Sequence, residues 1–467
     1  MAKISFGTDG WRGVIARDFT FANVERVAAA IAAYMNEAGL AARGAVVAYD
    51  NRFLADQFAA AAAGVLQSWG IPVFFSESAL PTPVAAFAIK RYNAGGAVML
   101  TASHNPPEYC GIKFIPEYAG PALPDVTRRI EELLAAPPAP PVVSSAPRRS
   151  LAPREDYFHH LLRLVDGEAI RRAGLKVVVD PMHGAGIGYL ETLLKRLGAK
   201  VTVLHDRRDP LFGGGLPDPV PARLGPLKEQ VRVEDAHLGL ALDGDADRLG
   251  VIDADGTFVS PNQILALTYH YLREKRGWRG PVVRTVATTH LVDRIAAAYG
   301  ETAYETPVGF KYIGAYLRER GCVCGGEESG GLSIRGHVPE KDGILAGLLA
   351  AEMVAVHGRS LCAQLAELAE RFGRVVSARV DYRTTPEEKE RILRHLREFN
   401  PSEFAGVAVL RRNTTDGVKI ELVDGSWFLV RASGTEPVFR VYAEAATPEA
   451  VSHLQEAVRR ELGLFAG

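Results

Sequence analysis

Apolar and polar residues alternate in blocks along the first 135 residues, and the blocks predict strands and helices in turn. "GAVVAYD" (44–50) is a short apolar run that predicts a buried strand, and "QFAAAAAGVLQSWG" (57–70) has a helical pattern that ends in glycine. "IPVFFS" and "AGGAVML" predict two further strands. Alternation of this kind indicates a parallel or mixed sheet covered by helices.

The same strand–turn–helix pattern returns twice. One segment opens with "LKVVVDPMHGAG" and closes near "LGLALDGDADRLGVIDADG", and another begins at "SPNQILALTYHYL". From about Gly373, long alternating runs and two polar helices predict a smaller antiparallel sheet. The proline-rich stretch 136–153 predicts a linker. We therefore predict an α/β protein of four domains, three mixed α/β and the fourth α+β, with bounds 1–150, 151–255, 256–370 and 371–467.

Composition excludes several classes of protein. The chain has 467 residues, 47% of them hydrophobic and 23% charged, which is typical of a soluble globular protein. A net charge of −1 gives no general attraction to nucleic acid or to an anionic membrane. Four cysteines fit neither a disulfide framework nor a four-ligand zinc pattern. The N-terminus lacks a signal pattern and no apolar stretch is long enough to span a membrane, so we expect a cytoplasmic protein.

The stretch "TASHNP" (101–106) places Ser103 and His104 directly after an apolar strand. A hydroxyl on a tight loop at the end of a strand suits nucleophilic chemistry. The same residue types are common in ordinary turns, and taken alone they favour a turn.

The stretch "LDGDADR" places Asp243, Asp245 and Asp247 at alternate positions before Arg248. Three carboxylates on one loop suit Mg²⁺ or a similar hard cation. A calcium EF-hand loop is excluded, because its sixth position requires glycine and its twelfth requires glutamate, and the chain has Arg248 and Ala254 there.

Three glycine-rich stretches carry polar side chains. "RASGTEP" (431–437) sets an arginine beside two hydroxyls and a glycine, which suits a phosphate, although a hairpin turn is nearly as good an interpretation. "GGEESGG" (325–331) suits sugar hydroxyls, and a solvated acidic turn is an equal alternative. "GTDGWRG" (7–13) is weak evidence alone. Together, a serine nucleophile, a carboxylate trio, a phosphate loop and a polyol loop indicate phosphoryl transfer on a sugar phosphate.

The sequence resembles the α-D-phosphohexomutases, the phosphoglucomutase/phosphomannomutase family. "FGTDGWRG", "TASHNPPEYCGIK", "DGDADR", "GEESGG" and "RASGTEP" occur in the order and rough spacing of that family. The resemblance implies four domains around a central cleft. The first three would share one α/β topology, and the last would be a small α+β domain like the TATA-box-binding protein.

The resemblance also implies roles for individual residues. Ser103 would be the phosphoserine and would hold one Mg²⁺ together with Asp243, Asp245 and Asp247, while Lys113 would be the general acid/base. The other residues implied to be catalytic are Arg12, Arg248 and His104. The residues implied to bind the substrate are Glu327, Ser329, Lys311, Arg431, Ser433, Gly434 and Thr435.

The implied activity interconverts hexose 1-phosphate and hexose 6-phosphate of glucose, mannose or both. It runs through a hexose 1,6-bisphosphate, which also primes the enzyme. Phosphoglucosamine mutase is the alternative activity, and a catalytically silent sugar-phosphate-binding protein is a rival of another class. Lys311 and His337 are expected near the substrate phosphate. We expect a monomer or weak homodimer without nucleic-acid or membrane partners.

Overall fold

The computed structural model describes residues 4–7, 10–137, 139, 144–433 and 437–464. Within these ranges the chain forms four sheets, one after another along the sequence. Three sheets contain parallel strands and are flanked by helices, and the fourth is antiparallel. The α/β class with a smaller α+β domain at the C-terminal end is confirmed.

The first sheet consists of β1 (Trp11–Val14), β2 (Ala45–Tyr49), β3 (Val73–Ser76), β4 (Gly96–Leu100), β5 (Tyr109–Pro116) and β6 (Arg148–Leu151). Its helices are α1 (Phe21–Glu37), α2 (Ala55–Ser68), α3 (Thr82–Tyr92) and α4 (Pro124–Ala135). The strand order is β1-β5-β4-β2-β3-β6. β4 pairs in parallel with β2 and antiparallel with β5, and it is buried along its whole length. The loop after β4 therefore leaves from the middle of the sheet.

Strand β6 corrects part of the predicted linker. Residues 148–151 pair in parallel with β3 at the edge of the sheet. The guanidinium of Arg148 lies 3.4 Å from the ring centroid of Phe75. Three of the four residues of β6 are exposed, so an edge strand of this kind has no apolar pattern that the sequence could reveal.

The second sheet consists of β7 (Lys176–Asp180), β8 (Lys200–Val203), β9 (Leu238–Leu242), β10 (Leu249–Asp253) and β11 (Phe258–Val259). Its helices are α5 (Arg154–Leu164), α6 (Gly167–Ala173), α7 (Leu190–Arg196) and α8 (Gly225–Val233). The strand order is β11-β10-β9-β7-β8. β9 and β10 are antiparallel and fully buried, and the "DGDADR" loop connects them.

The third sheet consists of β12 (Val282–Thr285), β13 (Ala303–Thr306), β14 (Cys324–Gly326) and β15 (Leu332–Ile334) in the order β13-β12-β14-β15. Its helices are α9 (Pro261–Glu274), α10 (Leu291–Ala298), α11 (Phe310–Glu319), α12 (Gly343–His357) and α13 (Leu361–Phe372). The side chain of Asp342 caps α12 by accepting the N–H of Leu345 at 2.9 Å. The "GEESGG" loop joins β14 to β15.

The fourth sheet consists of β16 (Val376–Arg383), β17 (Glu403–Phe404), β18 (Val407–Asn413), β19 (Val418–Leu422), β20 (Trp427–Ala432) and β21 (Val438–Ala445). Its helices are α14 (Pro386–Glu398) and α15 (Pro448–Leu462). The strand order is β16-β21-β20-β19-β18-β17, with every pair antiparallel. Of the "RASGTEP" stretch, Arg431 and Ala432 end β20 and Pro437 precedes β21, while residues 434–436 lie outside the described residues.

One apolar core extends through the first three sheets, while the fourth sheet has a core of its own. A small apolar cluster, which includes Val286 and Trp427, joins the third sheet to the fourth. Within the described ranges no single helix has the length and apolar character of a membrane span. In the same ranges only α12 and α13 taken together, bent by 77° at their junction, pass on length and composition.

Candidate active site

The serine loop follows β4, and its backbone is held in an unusual conformation. Ser103 has φ +51°, in the left-handed region that non-glycine residues seldom adopt, and only 2% of its surface is exposed. Its Oγ donates a hydrogen bond to Asp243 Oδ2 at 2.8 Å and lies 3.3 Å from His104 Nδ1. The turn interpretation of "TASHNP" is therefore right about the loop, and the loop directs the hydroxyl at the aspartates.

The three aspartates lie on the tight loop between β9 and β10, and all three are buried. One carboxylate oxygen from each lies within 4.8 Å of the other two. Asp243 Oδ1 accepts the backbone N–H groups of Asp247 and Arg248 at 2.9 and 3.0 Å, which folds the loop around that carboxylate. Sequence spacing and structure agree that the trio converges.

Asp243 is short of positive charge, and the two other carboxylates each have one oxygen without a hydrogen-bond donor. Burial, followed by the charges of Asp245 and Asp247, raises the pKa of Asp243 well above its usual value. Among the described residues, neither Asp245 Oδ1 nor Asp247 Oδ1 has a hydrogen-bond partner, although both atoms are buried. Buried acceptors without partners are costly. The donor set therefore fits a hard divalent cation bound by oxygen.

Lys113 reaches the trio from β5, in the first sheet. Its Nζ lies 3.0 Å from Asp245 Oδ2 and 3.5 Å from Asp247 Oδ2. Thr82, at the start of α3, donates its hydroxyl to Asp245 Oδ2 at 2.6 Å. Burial acts to raise the pKa of Asp245, but Lys113 and Thr82 outweigh it and hold that pKa below its usual value. The first domain thus supplies two groups that hold the loop of residues 243–248 in the second domain. We call this loop the metal loop after its predicted ligand.

Lys341 is a candidate site residue that the sequence analysis missed. Its Nζ lies 3.3 Å from Asp247 Oδ2 and 3.5 Å from Glu340 Oε1. The loop of residues 326–331, called the sugar loop after its predicted ligand, lies directly beneath this side chain. A Cβ at Gly331 would lie 2.5 Å from Lys341 Cδ. The only sequence signal is a lysine in "PEKDG" before a helix, which does not reveal a partner far away in the sequence.

Arg12, His104 and Arg248 surround the serine. Arg12, on β1, donates Nη1 to Asn105 Oδ1 at 2.8 Å in the serine loop. The charge of Arg248, followed by burial and the charge of Arg12, lowers the pKa of His104 well below its usual value. These surroundings favour the neutral form of the His104 ring, which can still take part in a hydrogen bond with Ser103 Oγ.

The sugar loop adjoins the metal loop through backbone contacts. Arg248 forms a β-bridge with Gly331, and the N–H of Leu249 donates to Gly330 O. Within the loop, Glu327 Oε1 accepts the N–H of Gly309 at 2.9 Å. Burial, followed by the carboxylate of Glu328, raises the pKa of Glu327 to about 7.

The two other side chains of the sugar loop differ in their surroundings. Glu328 accepts the hydroxyls of Thr285 and Thr288 at 3.1 and 3.2 Å, so this carboxylate is engaged within its own domain. Ser329 is half-buried. Both glutamates are thus bonded within the third domain, and the roles of Glu327 and Ser329 in binding a sugar stay predictions.

The phosphate loop has a second arginine that the sequence analysis did not single out. β20 and β21 pair so that Arg431 lies directly opposite Arg440. Two like charges in that position repel each other, and an anion between them would remove the repulsion. Arg431 Nε also donates to Asp416 Oδ2 at 2.9 Å. The N–H of Ser433 donates to Val438 O at 2.8 Å, while Gly434 and Thr435 lie outside the described residues.

The pKa of Tyr442 responds to charges of both the third and the fourth domain. Burial, followed by the charge of Glu328, raises the pKa of Tyr442 on β21, while Arg440 and Arg431 act to lower it. The charges of Glu328 in the sugar loop and of Arg431 and Arg440 thus act on the pKa of the same phenol.

Lys311 and His337, both expected near the substrate phosphate, lie in different surroundings. Lys311 lies in the first turn of α11 with its Nζ 5.5 Å from the ring centroid of Tyr312, and its role stays a prediction. His337 is fully buried against Asp342, at 2.9 Å, and stacks on His160 of the second domain. The expectation that His337 approaches the substrate is therefore wrong, because its ring is enclosed between two domains.

Comparison with known families matches all four domains. Family models described as phosphoglucomutase/phosphomannomutase alpha/beta/alpha domains I, II and III match residues 3–139, 155–256 and 260–372. The model described as the C-terminal domain of the same family matches residues 385–461.

Individual relatives extend over nearly the whole chain. A phosphoglucomutase of Komagataeibacter xylinus is 31% identical and covers 95% of this chain and 87% of its own. A Pyrococcus abyssi protein described as "Probable phosphoglucosamine mutase" is 32% identical over 97% of this chain and 96% of its own. A crystal structure of a putative phosphomannomutase from Thermus thermophilus matches with a TM-score of 0.86, 37% identity and 99% coverage of each chain.

These names differ in the sugar and agree in the class of reaction, since each denotes a mutase acting on a sugar phosphate. The predicted resemblance and the prediction of an enzyme are confirmed. The four matched domains and the convergent loops lead to one conclusion: the chain is an enzyme and belongs to the phosphoglucomutase/phosphomannomutase family.

Proposed function

We propose that this enzyme interconverts hexose 1-phosphate and hexose 6-phosphate, of glucose, mannose or both, through a phosphoserine at Ser103. The observation that carries the proposal is the hydrogen bond from Ser103 Oγ to Asp243, a member of the buried carboxylate trio. A serine hydroxyl beside a cation-binding site is what phosphoryl transfer requires of a nucleophile.

Asp243, Asp245 and Asp247, together with an oxygen of the phosphoserine, would hold one Mg²⁺. When bound, this ion supplies positive charge that offsets the negative charge of the transferring phosphoryl group. A phosphoserine carries about two negative charges. Three aspartates and the phosphoserine against one Mg²⁺ leave about three negative charges, which Arg12, Lys113 and Arg248 would balance. Lys341 would add one positive charge for the substrate phosphate.

The reaction would consist of two transfers. In the first, the bond between phosphorus and Ser103 Oγ breaks, and phosphorus bonds to the unphosphorylated hydroxyl oxygen of the substrate, which gives a hexose 1,6-bisphosphate. The bisphosphate turns round, and its other phosphoryl group returns to Ser103. The same bisphosphate would prime unphosphorylated enzyme.

Each transfer moves one proton. The accepting sugar hydroxyl loses a proton and the departing serine oxygen gains one, and the second transfer reverses this. Lys113 remains our candidate for the general acid/base, because its buried ammonium adjoins two carboxylates of the transfer site. The neutral ring of His104, 3.3 Å from Ser103 Oγ, would hold the serine hydroxyl in place.

The remaining loops would hold the rest of the substrate. Glu327 and Ser329 would accept or donate hydrogen bonds to sugar hydroxyls. Arg431, with Arg440 opposite it, would bind the phosphate that is not reacting. Ser433, Gly434 and Thr435 would complete that loop, and Lys311 would assist near the phosphate.

Phosphoglucosamine mutase is the second candidate, because relatives with that name match almost the whole chain. The 2-amino group of glucosamine 6-phosphate is a cation and would favour a carboxylate such as Glu327. Cytoplasmic location and a monomeric or weakly dimeric state remain predictions.

The test is turnover of glucose 1-phosphate, mannose 1-phosphate and glucosamine 1-phosphate, each with Mg²⁺ and a trace of glucose 1,6-bisphosphate. We expect conversion to the 6-phosphates, with the highest kcat/KM for glucose or mannose. A preference for glucosamine 1-phosphate would establish the second candidate. No conversion of any of the three would contradict the proposal.

A further inference from the structure

A buried ion pair lies beneath the serine loop, in a turn that the proposed mechanism does not use. Asp50 and Arg52 follow β2, and both side chains are 0% exposed. Arg52 Nε lies 3.3 Å from Asp50 Oδ2, so the guanidinium is held from one side by a carboxylate.

The other side of the Arg52 guanidinium donates hydrogen bonds to the backbone at residues 103–109, in and just after the serine loop. Nη2 donates to the carbonyl oxygens of Ser103 and Asn105 at 2.6 and 2.7 Å. Nη1 donates to those of Pro106 and Tyr109 at 2.7 and 2.9 Å. One side chain therefore holds three carbonyl groups of the serine loop and the one that begins β5, which requires the rigid planar fork of arginine.

The amide of Ser103 is held by the same ion pair through Thr101. The N–H of Ser103 donates to Thr101 Oγ1 at 2.8 Å, and the hydroxyl of Thr101 donates to Asp50 Oδ2 at 2.6 Å. Both backbone groups of Ser103 are thus fixed by Asp50 and Arg52. The left-handed φ of +51° at Ser103 is unfavourable for a residue other than glycine and persists because its surroundings enforce it.

The turn also contacts the support of the metal loop. Asn51 Nδ2 donates to the carbonyl oxygens of His183 and Gly184 at 3.0 and 2.8 Å. The N–H of Ala185 then donates to Gly244 O at 2.9 Å, within the metal loop. Three consecutive residues therefore link the nucleophile of one domain to the carboxylates of the next.

We propose that Arg52, held by Asp50, is a positioning residue that fixes the backbone of Ser103 so that its Oγ points at the carboxylate trio. This inference rests on the proposed function of Ser103. Arg52 touches neither the reacting atoms nor the residues assigned to the sugar. Its loss should therefore lower kcat and leave KM nearly unchanged.

The test compares Arg52→Lys with Arg43→Lys. Lysine at 52 keeps a positive charge beside Asp50 but cannot hold four carbonyls, whereas Arg43 donates to the carbonyls of Asn93 and Ala94 at a position remote from the trio. We expect Arg52→Lys to lower kcat about 100-fold, the scale of a 1 Å misplacement. KM for the best hexose 1-phosphate should stay within about twofold, and Arg43→Lys should change neither constant.

Hydrogen exchange of a peptide covering residues 101–109 separates this inference from the proposed function. Faster exchange of that peptide in Arg52→Lys, with kcat reduced and KM retained, supports positioning. If the wild type is active and Arg52→Lys keeps full kcat, the inference is overturned. It is also overturned if Arg52→Lys has a lower kcat, a higher KM and a lower melting temperature without a local change in exchange. An inactive wild type whose loop still loosens in Arg52→Lys overturns the mutase proposal and leaves the positioning of the loop supported.

Discussion

Two clusters of charged side chains, one buried and one partly buried, differ in how their charges are balanced. The transfer cluster combines the aspartate trio with Lys113, Lys341 and Arg248. The interface cluster, between the third and fourth domains, combines Arg284, Lys419, Glu305, Asp293 and His290. In the interface cluster Arg284 lies 2.6 Å from both Glu305 and Asp293, and Lys419 Nζ lies 2.9 Å from Glu305 and 2.7 Å from His290 Nε2.

The pKa shifts of the acids show the difference. Burial acts to raise the pKa of Glu305, but its bonds and charges with His290, Arg284 and Lys419 outweigh burial and hold that pKa far below its usual value. The pKa of Asp243 is instead raised by burial and by its two neighbours. Within the transfer cluster the pKa of Asp245 is, despite burial, also lowered by Lys113 and Thr82, so the deficit of positive charge lies at Asp243. Among the described residues, Oδ1 of Asp245 and Oδ1 of Asp247 are in addition buried without a hydrogen-bond partner. The interface cluster is therefore complete as a protein structure, and the transfer cluster fits an added cation.

The largest expected effect is the loss of the nucleophile. Ser103→Ala should lower kcat by at least about 10⁴-fold, on the scale of removing a nucleophile, with the fold retained. The matched control is Ser377→Ala, whose hydroxyl donates to Glu444 beside the interface cluster. Steady-state turnover and the circular dichroism melting curve test both variants. Unaltered kinetics in Ser103→Ala would exclude Ser103 as the nucleophile.

Removing one acid from each cluster should separate metal binding from stability. Asp245→Asn should lower kcat about 100-fold and raise the half-saturating Mg²⁺ concentration about tenfold. Glu305→Gln should leave the Mg²⁺ titration unchanged and lower the free energy of unfolding by about 3 kcal/mol, because two buried cations lose their partner. If both variants shifted the Mg²⁺ titration equally, the distinction between the clusters would be wrong.

Removing one lysine from each cluster sharpens the same distinction. Lys341→Met should lower kcat/KM by about 10²-fold, because a buried cation beside Asp247 is lost from the transfer site. Lys419→Met should lower the melting temperature, since Lys419 donates to Val286 O in the neighbouring domain, and should change kcat/KM little. Equal effects on kcat/KM would show that domain docking, rather than Lys341 itself, controls turnover.

The smallest expected effect is on pH dependence. Because the pKa of Glu327 is about 7, KM for hexose 1-phosphate should rise as the pH falls through 7 and the carboxylate becomes protonated. Glu327→Gln should abolish that step and keep KM at the higher value. A wild-type KM that is flat between pH 6 and 8 would contradict the role of Glu327.

The raised pKa of Glu327 and the lowered pKa of Glu305 change the free energy of unfolding with pH in opposite directions. A raised pKa in the folded enzyme means that Glu327 lowers the free energy of unfolding as pH rises from about 4.5 to about 7. Glu305 acts in the other direction, because its stabilising contribution is present above about 4.5 and is lost as the pH falls. Urea unfolding of the ligand-free enzyme, compared with Glu327→Gln and Glu305→Gln across pH, separates the two contributions.

Sequence analysis predicted the parts of the site that lie in short continuous motifs. Ser103 and the aspartate trio each occupy one loop at the end of a buried strand. Residue type alone favoured a turn at Ser103, and the set of motifs, with the family resemblance, singled out the serine; the spacing of the aspartates pointed directly to convergence. Thr82, Lys341 and Arg440 were missed, because each owes its place to contacts between segments far apart in sequence. Thr82 and Asp245, for example, are 163 positions apart.

The wrong or missing predictions for β6, His337 and the Asp50–Arg52 ion pair also concern contacts that the local sequence does not show. The pattern of β6 is that of a loop, since an edge strand needs only backbone pairing on one side. His337 was expected near the substrate phosphate, whereas packing against Asp342 and His160 decides the direction of its ring. The Asp50–Arg52 ion pair was passed over because "AYDNRF" reads as a strand followed by a turn, and its acceptors are backbone carbonyls that no sequence displays.

The central claim is that Ser103 carries the phosphoryl group between substrate and product. The most direct test incubates the enzyme with glucose 1,6-bisphosphate labelled in its phosphates, and then adds unlabelled glucose 1-phosphate with Mg²⁺. We predict that peptide mapping finds one labelled phosphoryl group on Ser103 and none on Ser103→Ala. The label should then move to hexose phosphate at the rate of turnover. Label on another residue, or label released only as inorganic phosphate, would contradict the account.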